Sequence, residues 1–134
     1  DPGKELRRSY SLLRSKGIVA LRVTNVHFHI LVYRISQWFA PLLRLSGMEK
    51  LFVFHFCLFS PKTIEILLRR CGYDEIHVWN SPLTVGDPYK LMKGWGSLGL
   101  WIKSFSFLII SAIARGTCGK ILIGPSLEVY ARKP

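Results

Sequence analysis

Acidic residues are scarce in this chain. Only 8 Asp and Glu stand against 19 Lys and Arg in 134 residues, for a net charge of +11. Such an excess favours polyanions: nucleic acid, an anionic membrane surface or a phosphorylated substrate. No block of five or more like charges occurs, so a solvated basic surface, or a domain whose acidic part lies elsewhere, accounts for the charge as well. Cysteine is also sparse. Cys57, Cys71 and Cys118 are odd in number and never spaced Cys-x-x-Cys, which argues against a disulfide framework or a structural zinc site. That usage points to a reducing cytoplasm. A long hydrophobic run is missing too: Lys103 interrupts the apolar stretch 97–114, short of the ~20 residues a spanning helix needs. In the polar opening "DPGKELRRSY" no signal peptide is visible, and none is expected. The opening also lacks an initiator Met, from which we expect the chain to begin inside a longer protein.

What is present is enough to fold. Apolar residues make up 49% of the chain and charged ones 20%, a balance that suits one domain with a modest core. Asp1 and Pro2 suit a helix start, and Leu6, Tyr10 and Leu13 fall on one helical face. Lys16-Gly17 ends that helix, and Ile18 to Val23 reads as a strand. Its near-continuous apolar character is that of a strand covered on both faces of a parallel sheet. "VHFHILVYRISQWFAPLLRLSG" predicts a helix bent or ended by Pro41. "MEKLFVFHFCLF" reads as buried loop or extended chain.

Further along, Ser60 is a natural N-cap with Pro61 at the first helical position. Ile64, Leu67, Leu68 and Cys71 share one face, and Gly72 offers a left-handed stop. "YDEIHVWN" alternates as a strand, with Ile76 and Val78 set against His77 and Trp79. "SPLTVGDPYK" is a loop, and 97–114 predicts an amphipathic helix. "SLEVYAR" alternates as a half-buried strand, antiparallel or near an edge. Three strands leave one edge of the first bare, so we expect the tail of a larger α/β sheet.

Three segments resemble a known family in the right order and spacing. "DPGKELRRSYSLLRSKGIVALRVTN" is similar to the stretch of class I S-adenosylmethionine-dependent methyltransferases that enters the fifth strand. "FHFCLFSPKTIEILLRRCGYDEIHVW" looks like the next helix and sixth strand, and "GPSLEVYARKP" like the closing seventh strand. The similarity covers about three quarters of the chain, with Ser15 and Thr24 departing from the usual turn residues. It implies the C-terminal part of a Rossmann-like α/β methyltransferase sheet, strands five to seven. There the seventh runs antiparallel between the other two. Residues 1–134 are then a single partial domain, with variable helical insertions at 26–50 and 90–120. The implied activity is methyl transfer from S-adenosylmethionine to a small or lipid-linked acceptor. The family holds that cofactor with a Gly-rich loop, yet no Gly-x-Gly-x-Gly occurs here. We therefore expect no cofactor-binding residues in this chain and an inactive fragment.

Within that resemblance, residues after the fifth strand lie on the carboxyl side of the sheet, where α/β ligands sit. His27 and His55 are candidate general bases. Packing of the histidines, His29 included, among Phe28, Phe54 and Phe56 is the structural alternative. Asn25 is a candidate for substrate contact or for capping the next helix. Phe28, Phe56 and Phe59, with Phe52 and Phe54, are candidates for an acceptor pocket or for core. His27 and His29 stand two apart, so a helix would not put them on one face, and no metal site is expected. Segment 97–114, with Lys90, Lys93, Lys103, Arg115 and Lys120 around it, is a candidate for peripheral membrane contact. It also suits a substrate-site cover or a homo-oligomer surface. A non-catalytic basic module that binds an anionic membrane or nucleic acid is the rival class, with nucleic acid the less expected partner.

Overall fold

Local signals set the first helix. In the computed structural model, which describes residues 1–38, 57–82 and 96–134, the Asp1 carboxylate caps α1 (Pro2–Leu12). It accepts N–H bonds from Gly3 at 2.8 Å and Lys4 at 3.3 Å, a cap of about 1 kcal/mol. At the far end Lys133 donates to the Tyr10 carbonyl at 2.9 Å and the Leu13 carbonyl at 2.8 Å. Its ammonium lies 4.5 Å from the centre of the Tyr10 ring. Lys133 thus closes the C-terminus of α1, where a cation suits the helix dipole.

Strand β1 (Ile18–Thr24) leads directly into α2 (Val26–Trp38). Helix α3 (Pro61–Arg70) begins at Ser60, whose hydroxyl accepts from the Thr63 N–H at 3.0 Å. It ends where Gly72 takes φ +95°, with the Tyr10 ring 3.1 Å from where a Cβ would stand. Only glycine suits both the left-handed turn and that close approach. Strand β2 (Asp74–Asn80), helix α4 (Gly96–Gly116) and strand β3 (Ser126–Arg132) complete the described elements.

The sheet order is β1-β3-β2, and β3 runs antiparallel to both neighbours. Strands β1 and β2 therefore point the same way, with their carboxyl ends on one side. Val19, Leu21 and Val23 face Ala131, Val129 and Leu127, while Val78 faces Val129. This row covers one face of the sheet. Against it pack Leu6 of α1 with Ile64 and Leu68 of α3, together with Cys71 and Tyr73. Burial of a side chain such as Leu68 contributes about 1.5–3 kcal/mol. Between Asp74 and His77 the register slips by one residue, and Glu75 takes φ +43°. The Arg132–Glu75 ion pair spans this bulge.

One expectation changes. Strand β1 is not covered on both faces among the described residues: Ile18 is 55% exposed, and Ala20 and Arg22 share its open face. The helices that touch the sheet pack against its other side. The closing strand is antiparallel and lies between the other two, the order that the resemblance implies, and the edge position that its alternation also allowed does not hold: Leu127 and Val129 are fully buried. Alternation in sequence reports one buried face and says nothing about the number of neighbouring strands. Helix α2 is apolar, yet none of its residues is buried, and Trp38 is 86% exposed. Pro41 and most of the aromatic run 51–59 lie outside the described residues. No helix among the described residues is long and apolar enough to cross a membrane.

Candidate functional site

The carboxyl ends of β1 and β2 hold the polar groups that the core excludes. At the end of β1 the Thr24 carbonyl accepts from the Phe59 N–H at 2.9 Å, and Val26 N–H donates to the Phe59 carbonyl at 3.0 Å. A parallel bridge thus sets Phe59 beside Asn25. Asn25 is fully buried. Its Nδ2 donates to the carbonyls of Leu122 at 3.0 Å and Gly124 at 2.9 Å, and its Oδ1 accepts from the His27 N–H at 3.1 Å. Both amide hydrogens and the oxygen are engaged. Asn25 caps α2 and holds the turn that leads into β3.

His27 is exposed at the first turn of α2. Phe28 and His29 meet edge to face, with ring centres 5.8 Å apart. Phe59 is half-buried against the core. The structure therefore gathers Asn25, His27 and Phe59 at one end of β1. His55 and Phe56 lie outside the described residues.

At the end of β2 a second asparagine mirrors the first. Asn80 Oδ1 accepts from the Gly124 N–H at 2.9 Å. A Cβ on Gly124 would stand 2.8 Å from that oxygen, so the approach needs glycine. Ser81 is buried, and its N–H donates to the Ser126 carbonyl at 2.9 Å. Arg22 reaches across to the Pro82 carbonyl at 3.1 Å. The segment 122–126 is thus held from both flanking strands by side chains that leave their ends. Asn80 Nδ2 is buried with no hydrogen-bond partner.

Beside Asn80 opens a cavity of about 540 Å³ between the end of β2, the second half of α4 and the turn after it. Trp79, Phe107 and Leu122 give it apolar walls, while Asn80, Ser111 and Arg115 bring polar groups. Sequence reasoning does not find this group. Its one local signal is Asn80 at the end of an alternating strand, since Ser111 and Arg115 stand on a different element, α4.

Fold and site together define a mixed α/β protein whose last strand lies antiparallel between two that run parallel to each other. No protein-family model and no curated protein matches the chain.

Proposed function

We propose that this chain is the C-terminal part of a class I S-adenosylmethionine-dependent methyltransferase domain, whose complete form methylates a small or lipid-linked acceptor. The observation that carries the reading is the sheet order. A final strand enters antiparallel between two parallel strands, and helix α3 links the segments before it. That arrangement agrees with the three resembling sequence segments and with their order along the chain.

Among the described residues, no Gly-rich turn between a strand and a helix is placed to cradle the cofactor. Binding in the family needs backbone N–H groups brought close to the ligand by a Gly-rich loop between a strand and a helix. The described glycines with positive φ, Gly72 and Gly119, both follow helices. Asn25 has no free donor. In such a domain this chain's part is to complete the sheet and position the acceptor, an entropic and desolvating contribution that requires no catalytic triad.

The coding sequence upstream of Asp1 is the direct test. A strand followed by a Gly-rich loop supports the reading, as does transfer of a labelled methyl group by the protein that carries both parts. Absence of that loop favours the basic-module alternative. So does binding to anionic vesicles or RNA that collapses between about 50 and 200 mM salt.

A further inference from the structure

We infer that the cavity at the carboxyl end of β2 binds a small aromatic carboxylate. At about 540 Å³ it is large enough for a bicyclic ring system. Trp79 and Phe107 supply flat apolar walls, and Pro82, Ala114 and Leu122 extend them. Its polar side chains are weighted towards donors. Arg115 is exposed and has no carboxylate partner among the described residues. Asn80 commits its Oδ1 to the Gly124 N–H, and its Nδ2 is buried away from the cavity, so Arg115 is the charged donor that a ligand there would meet. Ser111 adds a hydroxyl, and no Asp or Glu lines the cavity among the described residues. Arg115 also sits in the last turn of α4, where it offsets the helix dipole. The full guanidinium charge exceeds the half-charge of the helix end, so a net attraction for anions remains. A guanidinium recognises a planar carboxylate in bidentate geometry, which selects it over a neutral amide.

Cys118 lines the same cavity and is exposed, whereas Cys57 is exposed outside it and Cys71 is buried. That distribution provides an internal reporter. The full chain in dilute solution is labelled with N-ethylmaleimide, with and without millimolar 2-naphthoate, and modification of each cysteine is followed by mass spectrometry. The carboxylate should slow labelling of Cys118 and leave Cys57 unchanged. The neutral 2-naphthamide should protect about ten-fold less well. Arg115→Gln should abolish the difference between the two compounds, and Arg115→Lys should restore part of it. Arg115 is exposed, so both variants are expected to keep the far-ultraviolet circular dichroism of the parent. A Cys118 rate indifferent to 2-naphthoate overturns the proposal. Equal protection by the amide, or protection unchanged in Arg115→Gln, does so too. The site stands apart from the methyltransferase reading, and its failure would leave that reading where the upstream sequence puts it.

Discussion

Asn25 spends every polar atom of its side chain inside the protein, and two of its partners are carbonyls in the turn before β3. Asn25→Ala should therefore cost about 2–4 kcal/mol, because the buried carbonyls lose their donors and α2 loses its cap. Urea unfolding measures this, and a loss below about 0.5 kcal/mol would mean that water replaces the amide. Tyr73 is buried as well, and its hydroxyl donates to the Leu6 carbonyl at 3.2 Å. Burial raises its pKa above the ordinary 10.0, and the neighbouring Cys71 and Tyr10 raise it further. The phenol thus ionises more readily in the unfolded chain. Its contribution is complete below about pH 10 and is lost as pH climbs through the folded-state value. Tyr73→Phe should cost about 1 kcal/mol at neutral pH and flatten the decline in stability above pH 10, as seen in unfolding curves collected across that range.

Among the elements, α3 is the one whose sequence and packing agree at every point. Ser60 caps it, Pro61 starts it, Gly72 ends it, and Ile64 and Leu68 fill the space over the sheet. Leu68 is fully buried, so Leu68→Ala should cost about 2–5 kcal/mol. Ser60→Ala should cost only about 1 kcal/mol. Thermal unfolding of the two variants checks the ranking, and equal losses would indicate that the cap holds α3 as strongly as the Leu68 core contact does. Helix α2 is the opposite case. Its apolar residues Ile30, Leu31, Tyr33 and Ile35 are exposed, so its own periodicity finds no matching surface among the described residues.

At the scale of the molecule, β1 is one of the two edge strands of the described sheet, β2 being the other. Among the described strands β1 pairs only with β3; Phe59 bonds to its last residue, Thr24, and the rest of its outer row of backbone donors and acceptors, next to the exposed Ile18, has no described strand beside it. Such an edge is a template for another copy. We predict that the chain self-associates, with a light-scattering mass above its own 15.4 kDa. It should also show no calorimetric binding of S-adenosylmethionine. The charge of +11 opposes that association, so added salt should promote it by screening the repulsion. Ile18→Lys should reduce it by placing a charge on the edge. A monodisperse monomer that binds the cofactor at micromolar strength would overturn the prediction. The cavity lies at β2, across the described sheet from the outer edge of β1.

Much of this architecture was determined by the sequence alone, wherever the cause was local. The caps at Asp1 and Ser60, the stop at Gly72 and the alternation of Ile76 and Val78 depend on residues within a few positions of each other. Helix starts, left-handed stops and strand faces are local physics. Tertiary structure decided what depends on partners far along the chain. Asn25 could be read equally as a cap or a substrate contact until its amide was found on carbonyls 97 and 99 residues away. Strand β3 looked half-buried in isolation, and only pairing on both sides made it central. Asn80, Ser111 and Arg115 carry no shared spacing that a sequence pattern would detect. They meet because β2 and α4 are brought together by the fold, and proximity of that kind is a property of chain closure rather than of any segment.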